Sequence, residues 1–426
     1  MTKYFTNLIK SLKKVSLIDY EVFGHMRRTG DLKLMQELNR SIILDTIRKE
    51  GPISRSDIAK LINISPTTVT SAVNDLIQEG YVREDGVGFS SGGRKPVLLR
   101  FNPNTRFIIG VSISNSSIKI SEMNLEGHII RKEIHSTNLS QGQDIINLII
   151  KMIKQFLESK ENLELCEGIS IITPGIVNAK KGIISYNTKL KLYDIPLKQM
   201  VENEFGIPTF LDNDTNAYVL AENYFGSFKK YKDLVYITIG DGVGSGIMYN
   251  GQIIRGYKGS SGELGHTTIV RGGQKCECGN EGCLENYINW PAIYSQVVTA
   301  LMTRGKETII RNLIEGDINR VSPAVFVKAL NEGDTLCYQI MEEIVSHLST
   351  SITNFIHLLN PEVIILSGEI VQENSIFLDL LNKYVSKQVI PILKDEVNIQ
   401  PTSLGAEFEM LGAAAVILQE KYQFTI

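Results

Sequence analysis

The sequence predicts an α/β protein in two parts: a small helical head closed by a β-hairpin, and a larger body of two similar α/β halves. Three observations carry this reading. Between residues 31 and 102, three short helical patterns precede two strand patterns that flank a Gly-rich basic stretch. From residue 103 onwards, strands and helices follow the order βββαβαβα, and the order then recurs. Within the second half, His266 stands ten residues before Cys276, and Cys278 and Cys283 complete a glycine-rich loop.

The bulk properties suit this division. A chain of 426 residues can bury two or three sizeable cores. Its 43% hydrophobic and 21% charged residues are those of a globular protein. The net charge of −3 hides an asymmetry: residues 1–100 hold sixteen Lys/Arg against eleven Asp/Glu, and the remainder twenty-eight against thirty-six. A basic head on an acidic body points the head towards a polyanion, although a solvated face can carry the same excess. Five cysteines are few, and Cys166 and Cys337 read as core residues, so a reducing, cytoplasmic setting is expected. No apolar run reaches the roughly eighteen residues of a membrane span, and Met1–Lys14 has no secretory h-region. Residues 1–30 read as an N-terminal arm, in which Leu8, Leu12, Val15 and Leu17 can share one face of a short helix.

In the head, residues 31–102, Leu34, Leu38, Ile42, Ile43 and Ile47 recur at helical spacing before Gly51-Pro52 stops the helix. Ser54 to Asp57 offer caps for a second helix through Ile58, Ala59 and Leu61. After the turn Asn63-Ile64-Ser65, Ser65 caps a third helix with Pro66 at its first position, where a missing N–H is harmless. Val69, Val73 and Leu76 of that helix face the core. Thr67, Thr68, Thr70, Ser71 and Asn74, with Ser65, are short polar side chains able to reach phosphates and base edges. Two short helices joined by a tight turn, the second polar outward, read as a helix-turn-helix. Gly80–Arg83 and Val97–Phe101 then form a wing whose tip, Gly92-Gly93-Arg94-Lys95, is slim and basic enough to enter a minor groove. The alternatives are a winged helix that binds protein, or a flexible linker.

The body, residues 103–426, opens with strands at Ile108–Ser112, Ile118–Met123 and Ile129–Ile134 and a helix at Asp144–Leu157. A strand at Gly168–Ile172, a helix at Ile195–Phe205, a strand at Thr209–Leu211 and a helix at Thr215–Tyr224 complete the first half. The second half has strands at Leu234–Ile239, Ser245–Tyr249, Gln252–Arg255, Val363–Ser367 and Asn398–Pro401. Its helices are expected at Asn286–Met302, Leu336–Leu358, Ser375–Val385 and Glu409–Gln419. Two similar halves imply a cleft between them, the usual place for a small ligand. Asp212-Asn213-Asp214-Thr215-Asn216 sits where a strand hands over to a helix, so its side chains point into that crevice. Asn213 can donate to and accept from a hydroxyl, and Asp214 can accept a hydroxyl proton. The plainer reading is helix capping by Asp and Asn alone. Gly240 to Gly246 reads as a hairpin loop whose amides can cradle phosphate.

One His and three Cys are the donors of a tetrahedral Zn²⁺ site. With His266, Cys276, Cys278 and Cys283 all protein ligands, the site is closed and structural. The alternative, cysteines free or in a disulfide, is disfavoured because Cys-x-Cys does not readily close on itself.

Together these residues resemble the ROK family of repressors, open reading frames and sugar kinases. Glu263-Leu264-Gly265-His266 resembles its E-x-G-H motif, and Cys276 to Glu285 its C-x-C-G-x-x-G-C-x-E zinc motif. Pro174-Gly175, Asn187, Asn213-Asp214, Pro361–Gly368 and Leu411–Ala414 add to the likeness. The head, with Ser91-Gly92-Gly93-Arg94, is similar to that of the family's regulators of sugar uptake and catabolism. The resemblance implies a two-lobed, actin-like (ribonuclease-H-like) ROK domain, with the zinc loop at 266–283. It implies that Asn187, Asn213, Asp214, Glu263, His266 and Glu285 bind sugar hydroxyls, and that His266 serves both zinc and sugar. The family's kinases carry an Asp-x-Gly-Gly-Thr type turn between the first two strands. Here Ser112 to Ser117 holds no carboxylate and no glycine, and Asp241 replaces the usual Thr in the second phosphate loop. A carboxylate there repels phosphate. The expectation is therefore a sugar-controlled repressor that binds a double-stranded DNA operator as a homodimer, or a dimer of dimers. The alternative is an ATP-dependent sugar kinase with a DNA-binding head, in which Asp214 is the base. Intact Asp214 favours a hexose or hexosamine over a pentose.

Overall fold

The computed structural model describes residues 32–88, 95–158, 160, 162–303, 307–372 and 374–422. The chain divides into two compact units between Asn102 and Pro103. The expected arm at 1–30 and the wing tip with Arg94 lie outside the described residues.

In the first unit, α1 (Leu32–Glu50), α2 (Arg55–Leu61) and α3 (Pro66–Gln78) pack around Ile43, Ile47, Ile58, Val69, Val73 and Leu76, none more than 1% exposed. The Ser54 hydroxyl accepts from the Asp57 amide at 3.2 Å and the Ser65 hydroxyl from the Thr68 amide at 3.1 Å, so each cap satisfies a helix-end donor. Asn63, at φ 54°, turns the chain between α2 and α3. Leu38, expected on the core face, is 47% exposed; full burial along α1 starts only at Ile43. The wing strands β2 (Val82–Val87) and β3 (Val97–Phe101) are joined by a short β1 (Ile53–Ser54), in the order β1-β3-β2.

The second unit holds the duplicated pattern. In its first lobe, β4 (Phe107–Ile113), β5 (Ser117–Asn124) and β6 (Ile129–Ser136) form an antiparallel meander. After α4 (Gln143–Glu158), β7 (Cys166–Thr173) pairs parallel to β4. A small sheet of β8 (Ile176–Asn178), β9 (Ile183–Asn187) and β10 (Leu192–Ile195) follows, then α5 (Leu197–Phe205). β11 (Thr209–Asn213) pairs parallel to β7, giving the order β11-β7-β4-β5-β6, and α6 (Asp214–Tyr224) leaves its end.

The second lobe repeats this topology with β12 (Leu234–Ile239), β13 (Val243–Tyr249) and β14 (Gln252–Ile253) as the meander. An irregular stretch leads to α7 (Glu285–Ile288), α8 (Trp290–Met302), α9 (Ile310–Leu313), α10 (Pro323–Asn331) and α11 (Thr335–Leu359). β15 (Val363–Ser367) pairs parallel to β12; after α12 (Ser375–Gln388), β16 (Ile399–Pro401) pairs parallel to β15, and α13 (Phe408–Tyr422) ends the lobe. The order β14-β13-β12-β15-β16 mirrors that of the first lobe.

Several expected bounds shift, among them Gln252–Arg255, which is a strand only to Ile253. Asn286–Met302 is two helices, because Asn289 leaves α-helical geometry and caps α8, accepting from the Ala292 amide at 3.0 Å. Ile195 ends a strand, and α5 starts at Leu197. The Gly-rich turn spans only Gly240 to Gly242, since β13 already begins at Val243.

The lobes are interlocked by α6 and α13, which pack on each other. α6 lies on β12 and β13 of the second lobe, and α13 on β4 and β7 of the first. This close approach requires Gly246, where a side chain would meet the Thr215 carbonyl at 2.4 Å. Each lobe keeps its own core, one around β4, β7 and α4 with α5, the other around β12, β15 and α8 to α12. Among the described residues no helix is long and apolar enough to cross a membrane.

Candidate functional site

Parallel pairing of β11 with β7 delivers both strand ends to one edge of the first sheet. At β7 the chain turns through Pro174-Gly175; Gly175 has φ 95°, and a side chain there would strike the Tyr186 carbonyl at 2.4 Å. Two asparagines hold this turn. Asn213 donates to the Gly175 carbonyl at 3.0 Å, and Asn187 to the Pro174 carbonyl at 2.9 Å. Asn213 is also the α6 N-cap, accepting from the Thr215 and Asn216 amides at 3.0 and 3.2 Å. Asn187 accepts from the Leu190 amide at 2.9 Å and is 5% exposed, so both ends of its amide are engaged with backbone.

Asp214, half-buried in the first turn of α6, accepts from the Thr215 amide at 2.8 Å. Burial pushes its carboxyl up to about 6, against the Thr215 amide, and the charges of Glu409 and Glu263 push the same way. Glu263 lies on the second lobe. Burial raises its carboxyl as well, His266 opposes this, and Glu285 adds to it. The Ser245 hydroxyl donates to the Gly262 carbonyl at 2.7 Å, and the Thr215 hydroxyl donates to the Ser245 carbonyl at 3.0 Å. These bonds lay the segment carrying Glu263 against β13, beside the start of α6. Glu285, first residue of α7, accepts from the Val243 amide at 3.0 Å. The Gly240 amide bonds to the Gly242 carbonyl at 2.9 Å. Of the amides expected to cradle phosphate, these two are therefore closed by the protein's own acceptors.

His266 links cleft and cysteine loop. Its Nε2 lies 4.0 Å from Glu263 Oε2, and its Nδ1 3.6 Å from Cys276 Sγ. The ligand atoms of His266, Cys276, Cys278 and Cys283 all lie within 4.8 Å of one another. Cys278 and Cys283 are 3.7 Å apart and unbonded, which removes the disulfide alternative. A tetrahedral ion with metal–sulfur bonds of about 2.3 Å and a metal–nitrogen bond of about 2.0 Å sets S···S at about 3.8 Å and S···N at about 3.5 Å. The spacing fits, and the cluster can hold a metal ion. Asn280 donates to Cys283 Sγ at 3.4 Å and to the Thr268 hydroxyl at 2.9 Å, tying the loop to its base.

Several charged neighbours were not anticipated. Asp212, 1% exposed, receives one Arg255 guanidinium nitrogen across both carboxylate oxygens at 2.7 and 2.6 Å. Lys119 of β5 pairs with Glu409 of α13, and Lys189 donates to the Asp241 carbonyl at 3.0 Å. The position of Asp212 directly before Asn213-Asp214 was the available signal, because a buried carboxylate calls for a cation.

In the head, Thr67, Thr70, Ser71 and Asn74 lie exposed along α3. Ser65 and Thr68 form the cap, their hydroxyls 2.8 Å apart, and the Thr70 hydroxyl donates to the Pro66 carbonyl at 2.8 Å. Arg55 of α2, also unanticipated, donates to Asn74 at 3.3 Å, adding a cation beside the polar face. Lys95 is exposed at the base of the wing.

Comparison with known proteins places both units. Residues 108–420 match the ROK family model, and residues 39–83 a winged helix-turn-helix DNA-binding model. The chain is 30% identical over 400 residues to a xylose repressor of Caldicellulosiruptor bescii, covering 93% of this chain and 99% of that one. It is 27% identical over 395 residues to the DNA-binding transcriptional dual regulator NagC of Escherichia coli, covering 92% and 95%. Among solved structures, a ROK family transcriptional regulator homologous to the E. coli MLC protein has a TM-score of 0.81 at 27% identity, covering 92% of this chain and 98% of its own. A ROK glucokinase from Streptomyces griseus shares the fold of the body, with a TM-score of 0.65 at 24% identity over 72% of this chain and 98% of its own. The chain belongs to the ROK family, as a transcriptional regulator that joins a winged helix-turn-helix head to a two-lobed ROK body and not as one of the family's sugar kinases.

Proposed function

We propose that this protein represses genes of carbohydrate uptake or catabolism, and that a monosaccharide bound between the lobes of its body releases it from DNA. What supports this is that His266 lies 4.0 Å from Glu263 on the second lobe and that the charge of Glu263 acts on Asp214 at the start of α6, next to Asn213, while Glu285 acts on Glu263. Hydroxyl-binding groups fixed in this way reject analogues that lack the matching hydroxyl. Asn187 contributes by holding the Pro174-Gly175 turn. The names of the relatives, a xylose repressor and the E. coli N-acetylglucosamine repressor, support a sugar effector. Sugar bound to both lobes favours the closed body, and it shifts DNA affinity by its differential affinity for the two states.

A structural Zn²⁺ would be held by His266 Nδ1, Cys276, Cys278 and Cys283. Three thiolates and an imidazole are its usual donors, and four protein ligands leave no open position for catalysis. With Nδ1 committed to that ion, His266 would keep Nε2, 4.0 Å from Glu263, towards the sugar.

On DNA, Thr67, Thr70, Ser71 and Asn74 read the major groove and the wing, with Arg94 and Lys95, reaches the minor groove. Ser65 and Thr68 keep the start of α3 in shape for this contact. A homodimer matches a two-fold operator. The protein acts in the cytoplasm, in keeping with cysteines that form no disulfide. Arg94→Ala is expected to weaken binding to an AT-flanked operator, and unchanged binding in a gel-shift titration removes the wing from the contact.

The test of the reading is a thermal-shift screen of monosaccharides on the full-length protein, with every hit assayed for release of operator DNA. Turnover of ATP with a hexose, abolished by Asp214→Asn, would instead favour the kinase alternative. Asp214 favours a hexose or hexosamine; calorimetry in which xylose binds tighter than every hexose contradicts that choice.

A further inference from the structure

Resting on the sugar-effector reading, we infer that Arg255 is a positioning residue for that site. It anchors a strap, residues 255–262, that sets Glu263 of the second lobe in register with Asn213 and Asp214 of the first. The strap leaves the end of β14 and crosses to the first lobe. Arg255 Nη1 donates to Asp212 Oδ1 at 2.7 Å and lies 2.6 Å from Oδ2. Asp212, on β11, is 1% exposed, so a carboxylate buried in one lobe takes its counter-charge from the other. Midway along, the strap presses on β8: at Gly259, φ 82°, a side chain would meet the Val177 carbonyl at 2.2 Å. At its far end the Gly262 carbonyl accepts from the Ser245 hydroxyl at 2.7 Å, and the Ser245 carbonyl accepts from the Thr215 hydroxyl at 3.0 Å.

Both ends of the strap therefore return to one short stretch of the first lobe, Asp212 to Thr215. Asn213 and Asp214 stand between the two anchors, and Glu263 directly follows the second. The anchors are unequal. Ser245 links neutral groups, whereas the Arg255–Asp212 contact is charge-assisted, a kind of bond roughly twice as strong. Asp212 is too deeply buried to meet a ligand itself, so its carboxylate acts through Arg255. Neither side chain belongs to the hydrogen-bond ladder of a sheet, so removing the pair frees the strap and leaves both sheets paired. Groups that select among hydroxyls have to be held to within roughly 0.5 Å, and this anchor relates one lobe's groups to the other's.

The experiment compares the full-length, metal-loaded protein with its double variant Asp212→Asn/Arg255→Gln. Each is titrated calorimetrically with glucose, N-acetylglucosamine, mannose and xylose, and melting temperature, metal content and operator affinity are measured alongside. The two substitutions are made together because removing one partner strands a buried charge. The double variant is expected to keep its metal and its operator affinity and to lose at least about tenfold in affinity for the sugar that the wild type binds. Arg255→Lys, which keeps a cation opposite Asp212, should recover part of that loss. A folded double variant that binds sugar as tightly as the wild type overturns the inference and leaves the sugar-effector reading standing. If the double variant does not fold, Ser245→Ala decides, because it loosens the strap at its other anchor. It is expected to weaken sugar binding, and unchanged affinity in that folded protein overturns the inference. Failure of the wild type to bind any of the sugars removes the sugar-effector reading itself, and the inference with it.

Discussion

The two lobes of the body solve the same problem differently. The first lobe holds Asn213 and Asp214 at the junction of a strand and a helix, where capping bonds to the Thr215 and Asn216 amides and the tie to Gly175 fix them. The second lobe holds Glu263, His266 and Glu285 on the stretch between β14 and α8, where regular structure amounts to single helical turns at Leu264–His266 and Glu285–Ile288. That stretch contains the four-residue metal cluster. Topologically matched lobes thus differ in what makes their cleft side chains rigid. Where regular secondary structure is present, the Asn213 side chain does it by bonding to the backbone; where it is scarce, the proposed metal ion would add a cross-link to the bonds from Ser245 and to Val243. Side chains that must select among hydroxyls need one or the other.

The largest effect expected from breaking this contrast is on the second lobe. Cys283, fully buried, should be intolerant of serine. Cys283→Ser is expected to abolish stoichiometric metal, measured by elemental analysis, and to destabilise the body by roughly 3 kcal/mol or more in denaturant unfolding. Retained metal and unchanged stability would reduce the cluster to an incidental grouping.

Next in size is Asp214→Asn. Loss of a charged acceptor should weaken sugar binding by about 2 kcal/mol, roughly 30-fold, without lowering the melting temperature. The same carboxyl sets a pH dependence. With its native pKa raised to about 6, Asp214 binds more protons in the folded than in the unfolded chain between the two values. Its contribution to stability therefore falls as pH rises through about 6. Sugar affinity runs the other way, because the carboxylate is the binding form: about tenfold should be lost between about pH 7 and about pH 5. Calorimetry across that range should find the dependence in the native protein and not in Asp214→Asn.

The smallest change concerns the first lobe's capping. Asn213→Ala removes the α6 cap and the tie to Gly175, and should cost about 1 kcal/mol of stability while keeping the metal. A loss as large as that of Cys283→Ser would mean that both lobes depend equally on local bonds, and the contrast would fail.

Much of this organisation is legible in the residues themselves. β12 and β15 match their expected spans because both are short β-branched runs bounded by turn residues. α3 starts where Ser65-Pro66 predicts, since a cap hydroxyl and a proline at the first position have one shared geometry. The metal ligands lie within eighteen residues, so their spacing is a local property. What was missed is long-range or short and polar. Arg255 meets Asp212 across 43 residues and Glu285 meets Val243 across 42, pairings that no local pattern encodes. The small sheet β8 to β10 escaped because its strands are three to five residues long and present exposed Tyr186 and Tyr193. The Gly-rich turn was read too long, as Val243 to Gly246 looks like loop and pairs as strand with β12.

The central claim is that the metal cluster braces the sugar pocket. Its most direct test is to strip the metal from the full-length protein with a chelator and titrate the effector sugar against operator-bound protein. The account predicts that the metal-free protein still binds the operator through its separate head, that sugar no longer releases it, and that added Zn²⁺ restores release. Normal sugar-dependent release by protein verified to be metal-free would contradict it.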